Sequence, residues 1–143
     1  MGDEPVIVVH GKDQVVAALK VAADNNVAVL LVSQRGGVSV WGAEGFKALI
    51  EIAAAEVADA SFCWALDCSD NPGQALAACR TGVAGIIFDP CSPAYERVAD
   101  IAAQSSVELF TPEVYERHVL DLSQVGDAPR ACDTFLNGGK DCE

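Results

Sequence analysis

The stretch GIIFDPCSP, residues 85–93, decides how the chain is read. Gly85 to Phe88 is a short, wholly apolar run, the pattern of a strand buried on both faces. Asp89 and Cys91 follow at once, and Ser92-Pro93 then has the form of an N-cap with proline in the first helical turn. Residues 62–72, FCWALDCSDNP, repeat the device. An apolar run ends in Asp67, Cys68 and Asp70, and Asn71-Pro72 opens an alanine-rich helix that Gly82 closes.

The same alternation extends in both directions. Upstream, PVIVVH (5–10) and VAVLLVS (27–33) are strand patterns. Between them Val15, Val16, Leu19 and Ala23 recur at helical spacing. A glycine-bearing loop, QRGGVSVW, leads to a helix striped by Phe46, Leu49, Ile50, Ala53 and Val57. Downstream, VELFT is a fifth strand, and Thr111-Pro112 caps a last helix over EVYERHVLDLSQ. Five β-α units of continuous apolar strands and amphipathic helices predict an α/β domain: three layers around a five-stranded parallel sheet. Its strand order is either flavodoxin-like, 2-1-3-4-5, or that of half a (β/α)8 barrel. Residues 1–125 form this single domain, and 126–143 read as a flexible polar tail. Unpaired edge strands predict a homo-oligomer.

The 143 residues suit one domain, and a hydrophobic content of 51% is enough for a real core. Net charge is −12, from nine Lys and Arg against 21 Asp and Glu. Such a chain repels phosphate backbones and anionic membrane surfaces, so nucleic acid and membrane partners are not expected. The start, MGDEPVIVVHG, lacks the basic segment and long apolar run of a signal peptide. A cytoplasmic location, with the six cysteines as thiols, is the expectation.

In parallel α/β sheets the carboxyl ends of the strands carry the binding loops. Here those ends hold His10 and Lys12, then Arg35, then Asp67, Cys68 and Asp70, then Asp89 and Cys91. By strand alternation His10 shares a face with Val6 and Val8, Asp67 with Cys63 and Ala65, and Asp89 with Gly85 and Ile87. If these faces coincide, His10, Asp67 and Asp89 converge. Asp67 and Asp89 are then candidates for general acid and base or for a hard cation; as strand-end aspartates they serve equally well to cap loops. Cys68 and Cys91 are candidate nucleophiles or ligands beside His10, or small apolar fillers. Arg35 with Gly36 and Gly37 has the ingredients of an anion cradle, or of a plain turn. Which metal or cofactor, if any, would sit here is unknown from sequence.

Taken in order, VIVVHGKDQVVAALKVAADNNVAVLLVS, ALDCSDNPGQALAACRTGVAGIIFDP and VELFTPEV resemble the first five βα units of the ketohydroxyglutarate and phosphogluconate aldolases. That resemblance spans residues 6–118 and implies barrel-type topology and Schiff-base lyase ancestry. Ser33 and Gln34 stand where the family's second strand ends in its catalytic glutamate, and Asp89 where its fourth strand has serine. The family's lysine lies on a sixth strand that this reading of the chain lacks. Two functions therefore stay open, beside a redox or thiol role for Cys68 and Cys91. One is a non-catalytic or regulatory domain that binds a small molecule or a protein at the strand ends. The other is an aldolase-barrel-related lyase or isomerase using Asp67 and Asp89, with or without a divalent cation.

Overall fold

The structure is a computed structural model, and it describes residues 4–141. Strands β1 (Val6–Val8), β2 (Val29–Val32), β3 (Phe62–Ser69), β4 (Gly85–Phe88), β5 (Glu108–Phe110) and β6 (Val119–Asp121) form one sheet, ordered β5-β4-β3-β2-β1-β6. Every pairing is parallel. The helices are α1 (Lys12–Asp24), α2 (Gly37–Trp41), α3 (Ala43–Ala54), α4 (Pro72–Thr81), α5 (Tyr95–Gln104) and α6 (Ala128–Asp141).

The domain is α/β with a parallel sheet, but that sheet has six strands where five were expected. The sixth lies in the segment read as a last helix. There the chain forms a 3₁₀ turn, Pro112–Glu116, and then β6, whose Val119, Leu120 and Asp121 pair with Val6, Ile7 and Val8. Three residues are too few to show a strand period, and Tyr115, Val119 and Leu122 fall at helical spacing, i, i+4 and i+7. Tertiary pairing with the otherwise unpaired side of β1 overrides the local pattern. The flexible tail is also corrected. Ala128–Asp141 is a helix that packs on α1 and places Cys132 and Leu136 in the core. The loop before α3 likewise contains the short α2.

Strands β1 to β5 advance one place at a time in the same direction. Right-handed crossovers then put every connecting helix on one face. That face holds the larger core, built from Ile7, Leu19, Leu31, Phe46, Ile50, Leu66, Ile86 and Phe88 with α6 added. So the expected helices on both faces are not found. The opposite face carries a second core of Val6, Val8, Leu30, Val32, Ala65 and Ile87. It is covered by the segment after β5, through Val114 and Tyr115. That segment must cross this face because β6 runs parallel to β1, at the far side of the sheet from β5. No helix among the described residues is long and apolar enough to cross a membrane.

The caps follow the sequence in part. Asn71 accepts a 3.0 Å hydrogen bond from the Gln74 N–H, Pro72 opens α4, and Gly82 ends it in the left-handed region. Ser92 instead accepts from the Ala94 N–H at 3.1 Å, and α5 begins two residues after Pro93.

Candidate functional site

The convergent-face expectation has a definite outcome. Val6 and Val8, Ala65, and Ile87 line one face, so the ends of β1, β3 and β4 point the same way. β2 lies between β1 and β3, however, and splits the rim into two clefts. One, of about 330 Å³, is lined by Arg35, Asp67, Ser69, Asp70, Asp89 and Pro112. The other, of about 500 Å³, is lined by Val8, Gln34, Arg35, Tyr115, Val119 and Asp121. Arg35 borders both.

The loop after β2 is built around Arg35. Asp67 is buried, and its Oδ2 accepts a 2.6 Å hydrogen bond from the Gly36 N–H. Its Oδ1 accepts from the Ser69 N–H at 3.1 Å. The Asp67 N–H donates to Ser33 Oγ at 3.0 Å, and the Tyr115 hydroxyl donates to the Ser33 carbonyl at 2.7 Å. The Arg35 guanidinium lies over the Tyr115 ring, 4.4 Å from its centroid, as a cation–π contact. Gly37 is required here, since a Cβ would stand 2.3 Å from Ser33 Oγ. β3 also carries a bulge between Asp67 and Ser69, and Ser69 has φ 54°, a left-handed conformation uncommon outside glycine.

The electrostatics follow from this packing. Burial pushes the Asp67 carboxyl up, opposed by its bonds to Gly36 and Ser69 and by the nearby Arg35 charge. Burial likewise pushes the Tyr115 phenol well above its ordinary value, with the Asp67 charge adding to the shift. At the other cleft, His10 Nε2 and Asp121 Oδ1 are 2.8 Å apart. Burial raises the Asp121 carboxyl, but hydrogen bonds from His10 and Ser123 outweigh it and hold Asp121 below the usual value.

The remaining residues singled out from the sequence divide. Asp70 joins Asp67 and Asp89 in the smaller cleft. Asp89 Oδ1 accepts from the Cys91 N–H at 2.8 Å, so it caps its own turn. Lys12 is an exposed residue at the start of α1, paired with Glu56 after α3, and it lines neither cleft. Cys68 belongs to the helix-side core, fully buried, and burial pushes its thiol up to about 12. It points away from the rim because it alternates with Asp67 along β3. Cys91 is exposed. Of the two alternatives for Arg35, Gly36 and Gly37, the backbone bonds match the turn: the Gly36 N–H is taken by Asp67 and the Gly37 N–H by the Gln34 carbonyl at 2.9 Å. Only the Arg35 side chain of that trio faces a ligand space. No group of three or more His, Cys, Asp or Glu among the described residues is placed to hold a metal ion.

Tyr115 and Asp121 escape a reading that puts them on a helix. One signal does mark Asp121. Leu120-Asp121-Leu122-Ser123 repeats the Leu66-Asp67-Cys68-Ser69 pattern, and both aspartates accept from the N–H two residues on, at 2.9 and 3.1 Å. Comparison with known proteins gives no matching family model and no matching curated protein.

Proposed function

We propose that this chain is a non-catalytic or regulatory α/β domain that binds a small molecule at the carboxyl ends of its strands, with Arg35 as the anchoring charge. The observation that carries the reading is the division of labour on the rim. The oxygens of Asp67 hold the loop, Asp89 holds its own turn, and Arg35 alone is presented to both clefts. A general acid or base must be able to reach a substrate proton. An acid committed to backbone N–H groups is a poor one. The sequential order of β1 to β5, with helices on one face, supports the half-barrel alternative over the flavodoxin-like one.

The test is calorimetric titration of the wild-type protein and of Arg35→Gln with succinate, inorganic phosphate and L-leucine. Arg35 is exposed, and far-ultraviolet circular dichroism of Arg35→Gln checks that the fold is kept. Binding of at least one probe, weakened tenfold or more in Arg35→Gln, is expected. Binding that Arg35→Gln leaves unchanged, or no binding by any of the three, overturns the reading.

A lyase or isomerase reading keeps one observation in its favour, the meeting of Asp67, Asp70 and Asp89 in one cleft. It requires a melting-temperature rise with Mg²⁺ or Mn²⁺ that Asp67→Asn and Asp89→Asn each abolish.

A further inference from the structure

The two clefts that share Arg35 differ in charge. The smaller sets one arginine against three aspartates, an environment that repels anions. The larger sets one arginine against one aspartate. Its walls are apolar where Val8 and Val119 stand, and Tyr115 adds a ring face. Gln34 lines it, and its Oε1 is shut away from solvent without a hydrogen-bond partner among the described residues; a turn of this flexible amide would present the oxygen to the cleft. A buried acceptor left without a donor is costly, and a donor brought by a ligand would remove that cost. The cleft therefore offers a cation for a carboxylate, the Asp121 carboxylate and, once the Gln34 amide turns, a second acceptor for N–H groups, with apolar walls between. Its volume of about 500 Å³ falls in the usual range for small-molecule sites.

We propose that the cleft between β1, β2 and β6 binds a small zwitterion of the α-amino-acid type with an apolar side chain. Its carboxylate meets Arg35, and its ammonium meets Gln34 Oε1 and the Asp121 carboxylate. His10 is a positioning residue: with the Ser123 N–H it holds Asp121 Oδ1, which fixes the carboxylate at the cleft edge. A simple organic anion gains the Arg35 contact but leaves the Gln34 oxygen unpartnered and meets the Asp121 charge. A simple amine gains the acceptors but meets the guanidinium. This inference rests on the binding role of Arg35 and goes beyond it by naming the ligand class.

Three probes of one carbon skeleton separate the two claims: L-leucine, 4-methylpentanoate, which lacks the amine, and 3-methylbutylamine, which lacks the carboxylate. Calorimetry on the full chain is expected to show L-leucine binding at least tenfold tighter than either. Arg35→Gln, Asp121→Asn and Gln34→Leu are each expected to weaken L-leucine at least fivefold. Gln34→Leu and Asp121→Asn are expected to leave 4-methylpentanoate unchanged or tighter. If 4-methylpentanoate binds as tightly as L-leucine and is weakened by Arg35→Gln, the zwitterion inference fails while the Arg35 anchor stands. If L-leucine binding is unaffected by Arg35→Gln, both fail. Far-ultraviolet circular dichroism of each variant confirms that loss of binding is not loss of fold.

Discussion

The Asp67 carboxylate reaches from β3 to the loop after β2 and accepts a 2.6 Å hydrogen bond from the Gly36 N–H. This bond joins neighbouring strands at the rim and sets where Arg35 stands. Its removal in Asp67→Ala leaves the N–H groups of Gly36 and Ser69 without their carboxylate, at a cost of about 1–3 kcal/mol. Urea unfolding should show the midpoint falling with an unchanged slope. Gly37→Ala acts on the same loop from the other side, by forcing Ser33 away from its contacts with the Asp67 N–H. It should weaken any ligand held by Arg35 more than Ser39→Ala, an exposed neighbour, does.

Asp67 and Asp121 should tilt stability with pH in opposite senses. The folded-state pKa of Asp67 is raised, so the unfolded chain releases its proton first as pH rises. Stability from this group is fully present below the unfolded value, about 3.9, and is lost as pH climbs through the folded value. The melting-temperature difference, wild type minus Asp67→Asn, should therefore fall between pH 3 and pH 6. Asp121 is held low, so its stabilisation is present above about 3.9 and is lost as pH drops through the folded value. Wild type minus Asp121→Asn should shrink as pH is lowered from 5 towards 2.5. Parallel slopes for the two variants would refute the assignment of their environments.

Gly85 stands where neighbouring strands leave no room for a side chain. A Cβ there would lie 2.9 Å from Phe110 Cε2, 3.1 Å from the Glu108 carbonyl oxygen and 3.2 Å from that of Trp64. Two of these three neighbours are backbone and have little room to yield. Gly85→Ala should destabilise by about 1–3 kcal/mol through overpacking, and Phe110→Leu should restore part of that loss in a double-mutant cycle. Simple additivity of the two changes would show that the ring is not the obstacle.

The parallel strands and the common face of Asp67 and Asp89 were legible because apolar runs ending in acids, followed by Asn-Pro or Ser-Pro, are signals within a few residues of each other. The separation of His10 from Asp67 was not, since it depends on β2 lying between β1 and β3, and strand order is a long-range property. β6 was hidden by its brevity, and with it Asp121, the partner of His10. In α6 the pattern was sparse: of the residues up to 137, whose burial is described, only Cys132 and Leu136 are deeply buried, and the helix is otherwise rich in polar residues and carries two glycines. The helix is held by its packing on α1, which no local window contains.

The thiols test which face of the sheet each strand-end cysteine occupies. Cys91 is exposed, whereas Cys68, Cys79 and Cys132 are buried. Burial pushes the Cys68 thiol up to about 12 and the Cys132 thiol up to about 11, so both are protonated at neutral pH as well as inaccessible. Alkylation needs the thiolate and access together. Iodoacetamide at pH 8, with modified sites located by peptide mass spectrometry, should label Cys91 at least a hundredfold faster than Cys68. Labelling of Cys68 and Cys132 should proceed only at the rate set by opening of the structure, and urea should abolish the difference. Fast labelling of Cys68 in the folded protein would place it on the rim with Asp67. It would overturn the alternation along β3 that puts the carboxylate in the cleft and the sulfur in the core.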